Sequence, residues 1–341
     1  MLQLALVGTG HWGPNILRSF ENTGRAEVRF ICDLDAARLE RLAARNPRAR
    51  TTTRVEDIFR DGEVDAVVIS TPVTSHYELS RQVLEAGKHL MVEKPITRTS
   101  SQARDLIALA ERQGRVLMVG HVFEYNATVQ ALKGIVDSGQ LGQIQYLSFE
   151  RTNLGPVRTD VNALWDLASH DISIMTYLLG RAPRDVTARG QGYLNEGIED
   201  AAFAVFGFAG GIVAHVNVSW LNPRKVRQIT VVGDQKMAVW DDLSLVRPIQ
   251  IFDRRVERAS HHDITDTFFE HKTAVVDGGI YVPSVRLNQP LQAECEHFID
   301  CVEKDLGPHS DGRSGLRVVL ALEAASESMR NGSRITAVEP E

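Results

Sequence analysis

This chain has few cysteines, no excess of positive charge and no unbroken apolar run of membrane length. Its 341 residues include three cysteines, Cys32, Cys295 and Cys301, whose odd number and spacing fit neither a disulfide framework nor a metal site. The net charge of -6 opposes broad binding to nucleic acid or to an anionic membrane. The first residues lack the basic start of a signal peptide. We expect a cytoplasmic protein with reduced thiols and no nucleic-acid or membrane partner.

The longest apolar stretch, residues 201–221, has the length of a membrane span but is interrupted. Gly207, Gly210 and Gly211 break it, and polar residues then alternate with apolar ones. Alternation of period two is typical of strands. We therefore predict a hairpin that turns at Ala209-Gly210-Gly211 and leaves one polar face for solvent or a second subunit.

The first 120 residues alternate short apolar runs with helical patterns, as in a doubly wound parallel sheet. The predicted strands are Leu2 to Val7, Glu27 to Cys32, Ala66 to Ile69, His89 to Val92 and Val116 to Val119. Capping patterns, in which a hydroxyl precedes Glu or Gln by three residues, predict helix starts at Thr53, Ser75 and Thr99. An α/β fold is expected, with a first domain over residues 1–120.

From residue 121 onwards, strands follow one another with fewer helices between them. The predicted helices are Ala127 to Asp137, Asn162 to Leu179, Gln292 to Glu303 and Arg313 to Arg330. A strand is predicted at Gln143 to Arg151, and several more from Ala182 to Phe252. We expect a second, α+β domain over residues 121–341 with a large, mostly antiparallel open sheet.

A glycine loop follows the first predicted strand. Its residues, the expected contacts of a dinucleotide, are Gly8, Thr9, Gly10, His11, Trp12 and Gly13. The GxGxxG spacing between a strand and a helix allows a tight turn and places helix amides against a pyrophosphate. Asp33 ends the second strand, where a carboxylate binds the ribose hydroxyls and favours NAD. NADP is the alternative if Arg38 folds over the adenine.

Two further strand ends carry polar residues on the side where the glycine loop lies. Ser70, Thr71, Pro72 and His76 follow the Ala66 to Ile69 strand, and Glu93 and Lys94 precede Pro95. Ligands bind at the carboxyl ends of the strands in open α/β sheets. We therefore expect the nicotinamide half of the cofactor to contact these residues.

Asp166 and His170 are four residues apart in a predicted helix and would share one face. Oxidation of a secondary alcohol by a nicotinamide needs a group that removes the hydroxyl proton. Lys94 could do so beside a cationic ring, and His170 because histidine titrates near neutrality. Asp166 would orient one of them.

Together these motifs resemble the Gfo/Idh/MocA oxidoreductase family. The resemblance extends to the end of the chain, where residues 290–298 and 311–317 are similar to the closing helices of the family. It implies a Rossmann domain joined to an α/β domain whose open sheet mediates dimers or tetramers. It also implies that Lys94, Asp166 and His170 are catalytic. One departure is Ser173, where family members commonly carry an acid, while an acid stands at Asp171 instead.

Residues 120–126 and 153–162 are most similar to family members that act on nucleotide-linked sugars, such as UDP-N-acetylglucosaminuronate 3-dehydrogenases. The resemblance implies oxidation of a sugar or nucleotide sugar, with C3 as the expected position. Donors for the hydroxyls, carboxylate or phosphates of such a substrate are expected, besides Lys94 and His170, at Tyr125, Asn126, Arg158 and Asn162.

Other interpretations stay open at this point. A cyclitol or inositol dehydrogenase would need the same cofactor and proton acceptor. A regulator that senses NAD(P) without turnover would not need Lys94, Asp166 or His170. A metal site is not expected, because His261, His262, Asp263, Asp266 and His271 follow no familiar ligand spacing.

Overall fold

The structure is a computed structural model that describes residues 1–258 and 273–341. Contacts divide the chain into two compact units. The first contains Met1–Asn126, Asn288–Ala324 and Glu339–Glu341, and the second contains Ala127–Leu287 and Ala325–Val338. The division into a cofactor-binding domain over residues 1–120 and a substrate-binding domain over residues 121–341 stays a prediction.

Strands and helices alternate along the first part of the chain, and a run of strands follows before the last two helices. The strands are β1 (Leu2–Val7), β2 (Ala26–Cys32), β3 (Arg50–Thr52), β4 (Ala66–Ile69), β5 (His89–Glu93), β6 (Leu117–Gly120), β7 (Ile144–Leu154), β8 (Asp185–Gln191), β9 (Ala201–Gly207), β10 (Val213–Ser219), β11 (Leu221–Gly233), β12 (Met237–Asp241), β13 (Ile249–Arg258), β14 (Thr273–Tyr281) and β15 (Thr336–Ala337). The α-helices are α1 (Gly13–Thr23), α2 (Ala36–Ala43), α3 (Val55–Arg60), α4 (Val73–Glu85), α5 (Ser100–Gln113), α6 (Ala127–Asp137), α7 (Ser169–Leu179), α8 (Pro290–Lys304) and α9 (Gly312–Arg330). A 3-10 helix covers Val122–Tyr125 and a π-helical turn covers Leu164–Ala168.

The first unit contains a parallel sheet of six strands in the order β3-β2-β1-β4-β5-β6. The predicted parallel sheet is confirmed, with the short edge strand β3 as an addition. Strand β4 is buried along its whole length, as expected of an apolar strand covered on both faces. The strand order reverses between β1 and β4, so the ends of these strands border the crevice where such sheets bind ligands.

Only one of the three predicted capping patterns in this unit is a cap. Thr99 accepts a hydrogen bond from the Gln102 backbone N–H at the start of α5. Thr53 and Ser75 were wrong as caps, because α3 follows Arg54 and α4 follows Pro72, both without a side-chain cap.

The second unit contains a nine-stranded sheet among its described residues, in the order β14-β13-β12-β11-β7-β10-β9-β8-β15. Within this sheet, β7 and β10 are the only described strands that pair in parallel, which confirms the mostly antiparallel sheet. The predicted hairpin is confirmed as β9 and β10, and Gly210 and Gly211 adopt positive φ values of 82° and 78° at its turn. Alternation along β9 buries Ala204 and leaves Phe203 51% exposed.

All three cysteines are buried free thiols. No helix in the described part of the chain is apolar over the length that a bilayer requires.

Candidate active site

The glycine loop joins β1 to α1, and two of its glycines are required by close packing. Gly8 has a φ of 97°, and a Cβ there would lie 2.6 Å from the carbonyl oxygen of Ser70. A Cβ on Gly13 would collide with the carbonyl oxygen of Gly8. These two glycines thus let β1, β4 and the start of α1 approach one another.

Gly10 differs from the other two, because no atom of the described protein beyond its chain neighbours lies within 4 Å of where its Cβ would be. Packing within the protein therefore does not explain this glycine. Its missing side chain leaves room for a ligand to approach the backbone before the N-terminus of α1, where amide donors favour phosphate. The loop therefore fits a dinucleotide pyrophosphate.

Asp33 lies beyond the end of β2 and holds the glycine loop in place. Its Oδ2 accepts hydrogen bonds from the backbone N–H and the hydroxyl of Thr9, both at 2.6 Å, and its Oδ1 accepts one from the Asp35 N–H at 2.9 Å. Burial disfavours the charged form, but these hydrogen bonds outweigh it and lower the pKa of Asp33. A carboxylate has about four acceptor positions, so capacity remains for ribose hydroxyls.

Arg38 lies in the first turn of α2 and pairs with Asp35, with 3.2 Å between Nε and Oδ2. Asp35 also caps α2 by accepting from the backbone N–H groups of Ala37 and Arg38. Asp35, and not Asp33, therefore caps α2.

The residues after β4 are held by their neighbours. Ser70 Oγ is buried without a hydrogen-bond partner among the described residues, and the Ser75 hydroxyl donates to Thr71 Oγ1 at 2.7 Å. His76 is 1% exposed, with Nδ1 at 2.8 Å from the Pro95 carbonyl oxygen and Nε2 at 2.9 Å from that of Thr71. His76 thus links the turns after β4 and β5, while its predicted cofactor contact stays a prediction.

Glu93 ends β5 and Lys94 follows it, and both residues are half-buried. Glu93 Oε2 accepts a hydrogen bond from the Lys94 backbone N–H at 3.2 Å, and its carboxylate also accepts one from the Trp12 side chain. Burial raises the pKa of Glu93 to about 7, although the Lys94 charge and these hydrogen bonds act in the opposite direction. The Lys94 ammonium therefore lies near a carboxyl group that titrates close to neutrality.

Further titratable groups are buried around this strand end. Burial, and then the charge of Lys94, lower the pKa of His121 to about 3, and neither of its ring nitrogens has a partner in the described structure. Glu294 on α8 is fully buried, and its carboxyl oxygens also have no partner there. Burial, followed by the charges of Glu93 and Glu124, raises the pKa of Glu294 well above its ordinary value. His121 is therefore neutral near pH 7, and the protonated form of Glu294 is favoured.

In the second unit, Asp166 lies in the π-helical turn that precedes α7 and not in a regular α-helix as predicted. π-helical turns recur at functional sites. The carboxylate of Asp166 is bound from two sides, by Arg158 Nη1 at 3.2 Å and by the indole N–H of Trp220 at 3.3 Å. Arg158 also pairs with both carboxylate oxygens of Asp160, at 2.9 and 2.6 Å.

His170 lies in the first turn of α7 and is half-buried, beside the fully packed Asp171. Asp171 pairs with Arg151 of β7, which lies 2.7 Å away and is also buried. Burial raises the pKa of Asp171, although Arg151 and then Arg227 oppose this shift. The pair anchors the start of α7 to the sheet. The sequence analysis did not predict it, although Arg151 is a charged residue at an inward-facing position of β7.

The other predicted substrate residues have contacts within their own units. Tyr125 is 3% exposed, and its hydroxyl lies 2.8 Å from Ser310 Oγ. Asn126 ends the 3-10 helix. Asn162 donates to Glu199 at 2.6 Å and accepts from the Trp165 backbone N–H at 3.0 Å. Their contacts with substrate stay predictions.

The residues of the histidine-rich stretch, His261, His262, Asp263, Asp266 and His271, lie outside the described residues. Within residues 1–258 and 273–341, no group of three or more His, Cys, Asp or Glu side chains is arranged to hold a metal ion.

Comparison with known proteins gives the same family for both parts of the chain. Residues 2–121 match GFO_IDH_MocA, described as an oxidoreductase family with an NAD-binding Rossmann fold, and residues 129–239 match the GFO/IDH/MocA C-terminal domain. A UDP-N-acetylglucosamine 3-dehydrogenase of Acidithiobacillus ferrooxidans is 26% identical, over 94% of this chain and 95% of the relative.

Two further matches come from a relative and a solved structure. Inositol 2-dehydrogenase 2 of Saccharopolyspora erythraea is 28% identical over 64% of this chain and 66% of its own. The WlbA dehydrogenase of Bordetella pertussis, solved with NADH and UDP-GlcNAcA, is similar in fold with a TM-score of 0.81. That match has 22% identity and covers 100% of this chain and 99% of the other.

Proposed function

Because this chain belongs to the Gfo/Idh/MocA family of NAD-dependent oxidoreductases, we propose that it oxidises a secondary hydroxyl of a sugar or nucleotide sugar, at C3. The observation that carries this proposal is the arrangement at the end of the parallel sheet. Gly10 leaves its backbone open to a ligand, and Trp12 of the same loop donates to Glu93, the neighbour of Lys94. Lys94, which we propose as the proton acceptor, therefore follows a residue that is bound to the loop that fits the dinucleotide.

Bound NAD supplies the hydride acceptor, and the chain supplies the binding groups and the proton acceptor. Lys94 Nζ takes the hydroxyl proton as the carbonyl forms, and His170 shares this role. Arg158 and Trp220 bind the Asp166 carboxylate, and Asp166 orients one of the two proton-accepting groups. Thr71 and Ser70 line the sheet end that the nicotinamide half contacts.

The preference for a nucleotide sugar is supported by the relative that matches this chain along almost its whole length, a UDP-N-acetylglucosamine 3-dehydrogenase. Arg158 is the predicted contact of an anionic substrate group. It is half exposed and already paired with Asp160 and Asp166. A phosphate or carboxylate of the substrate would exchange with the exposed carboxylate of Asp160.

The test is a turnover screen with NAD in which reduced nicotinamide is measured by its absorbance. The substrates are UDP-N-acetylglucosamine, its uronate, the free sugars and myo-inositol. We expect turnover with a UDP-sugar, transfer of deuterium from C3 of the labelled sugar to the cofactor, and a loss of at least about 100-fold in kcat for Lys94→Ala, as is typical of proton-transfer groups.

Other outcomes decide between the alternatives. Turnover of myo-inositol alone would favour a cyclitol dehydrogenase, for which the 28% identical inositol 2-dehydrogenase is the supporting observation. NAD binding without turnover of any substrate would favour a sensing role. Deuterium retained in the sugar product would rule out oxidation at C3, and full turnover by Lys94→Ala would rule out its catalytic role.

We further propose a homodimer or homotetramer that forms through the open face of the nine-stranded sheet. Neighbouring strands expose apolar side chains on this face, among them Tyr146, Phe203, Val205 and Val213. Clustered exposed apolar residues mark interaction surfaces. Light scattering should show an oligomer for the wild type and a smaller species for Phe203→Glu. A monomeric wild type would contradict this assembly. The cytoplasmic location stays a prediction.

A further inference from the structure

The carboxyl group of Glu93 lies where three segments of the first unit meet. Its Oε2 accepts from the Lys94 backbone N–H at 3.2 Å, which ties it to the turn that carries the lysine. The Trp12 side chain of the glycine loop donates a hydrogen bond to it. Its third neighbour is the end of β6. The half-buried Glu93 thus connects the Lys94 turn, the glycine loop and the end of β6.

At the end of β6, Gly120 pairs in register with Glu93 and makes the room that the carboxyl group occupies. A Cβ on Gly120 would lie 3.1 Å from the Cδ and Oε1 of Glu93 and 3.2 Å from its Oε2. All three carboxyl atoms therefore pack against this glycine. A side chain at position 120 would force the carboxyl group to shift by a few tenths of an ångström.

We propose that Glu93 is a positioning residue whose carboxylate holds the Lys94 turn against the glycine loop and stabilises the charged form of the Lys94 amine. The reaction that Lys94 serves rests on the proposed function. The effect of Glu93 on the lysine does not, because it follows from the contacts within this unit.

Two histidines and one further carboxyl group around this strand end have pKa values that are shifted towards their neutral forms. Burial makes His121 neutral, since its pKa falls to about 3. Burial also lowers the pKa of His76, with the Lys94 charge as a smaller cause. Burial, followed by the charges of Glu93 and Glu124, raises the pKa of Glu294 well above its ordinary value. Glu93 differs from these groups, because the Lys94 charge and two hydrogen bonds oppose the effect of burial on its pKa.

The pKa of about 7 gives Glu93 a role that changes near neutrality. Above this pH its carboxylate stabilises the Lys94 ammonium that forms when the lysine takes a proton. Below it, neutral Glu93 favours the amine. A carboxyl group so placed adjusts how strongly Lys94 holds a proton as the pH changes around neutrality.

The test measures Lys94 directly and needs no substrate. The wild type, Glu93→Gln, Glu93→Asp and the control Glu111→Gln are labelled with 1-fluoro-2,4-dinitrobenzene from pH 6 to 11, and the labelling of Lys94 is quantified by peptide mass spectrometry. Glu111 lies on α5 and pairs with Arg313, so its loss removes a carboxylate of the same unit away from Lys94. Circular dichroism checks that each variant is folded.

We expect Glu93→Gln to lower the labelling midpoint of Lys94 by about one pH unit, which is about tenfold faster labelling at pH 7.5. Glu93→Asp keeps the charge and should restore most of the shift, and Glu111→Gln should match the wild type. Equal Lys94 midpoints in folded Glu93→Gln and the wild type would overturn the proposal. Should Glu93→Gln fail to fold, the Lys94 labelling midpoint of Gly120→Ala is compared with that of the wild type instead. This variant crowds the Glu93 carboxylate without removing it, and an unchanged midpoint would then overturn the proposal.

The two proposals fail separately in this design. A shifted Lys94 midpoint without turnover of any sugar or inositol would contradict the proposed function and support the role of Glu93. Turnover of a UDP-sugar with an unshifted Lys94 midpoint would support the proposed function and contradict the role of Glu93.

Discussion

Replacement of Glu294 by methionine should stabilise the protein, because this carboxyl group is buried at a net cost. The residue is 0% exposed, and neither carboxyl oxygen has a hydrogen-bond partner among the described residues. A buried polar group left without partners costs about 1–3 kcal/mol. Methionine has a similar volume and helix propensity, so it removes this cost without disturbing α8. We expect Glu294→Met to gain about 1–3 kcal/mol at pH 7.

The gain should also depend on pH, with a sign that follows from the raised pKa of Glu294. A carboxyl group whose pKa is higher in the folded state stabilises the fold at acidic pH. That contribution is lost as pH rises above its ordinary value of 4.5, because the unfolded chain releases a proton that the folded chain retains. The advantage of Glu294→Met should therefore grow by up to about 1.4 kcal/mol per pH unit above that value.

Urea unfolding at pH 5, 7 and 9, followed by tryptophan fluorescence, measures both effects as a change of midpoint at constant slope. Glu296→Gln is the matched control, since Glu296 lies on the same helix but accepts a hydrogen bond from Gln292 at 2.8 Å. It should not reproduce the gain expected for Glu294→Met. A Glu294→Met protein that is less stable than the wild type at pH 7, or whose advantage is constant with pH, would refute this reasoning.

Two other predictions concern the glycine loop and the buried pair of Arg151 and Asp171. Gly10→Ala should leave the thermal midpoint unchanged and weaken NAD binding at least about tenfold, or about 1.4 kcal/mol. Gly13→Ala should lower the thermal midpoint, because its Cβ meets the Gly8 carbonyl. Calorimetry and NAD titration compare the two variants, and equal effects of both would contradict the ligand-facing role of Gly10. Arg151→Met should lose about 3–5 kcal/mol of folding free energy because it leaves the buried Asp171 without its cation, and joint replacement of Arg151 and Asp171 by apolar residues should recover most of this loss. Urea unfolding tests the pair, and additive losses in the double variant would argue against a buried ion pair.

The contacts around Asp33 and Asp35 show how far local sequence reasoning reaches. The spacing of the glycine loop and of Asp33 depends on residues close in the chain, so it predicted where the loop would lie. Which of the two acids caps α2 depends on backbone conformation, and the structure assigns the cap to Asp35. Asp33 remains for the loop and, by our proposal, for the cofactor.

The π-helical turn at Asp166 was not predicted, because a pattern of apolar residues cannot distinguish one extra residue per turn from a regular α-helix. One of the two described partners of its carboxylate could not be predicted from local sequence, since Trp220 is 54 residues away in the chain. The missed edge strand β3 has only three residues and no buried face, so it left no apolar pattern in the sequence.

The sequence by itself determined the two sheets, the hairpin at Gly210 and the residues that end the parallel strands. These features arise from periodic burial and from glycines whose backbone freedom is local. The tertiary structure alone decided that Glu93 fits against Gly120, that Glu294 has no partner among the described residues and that Arg151 meets Asp171. Such contacts join residues from distant parts of the chain, and burial then sets their charge through desolvation, which no local pattern records.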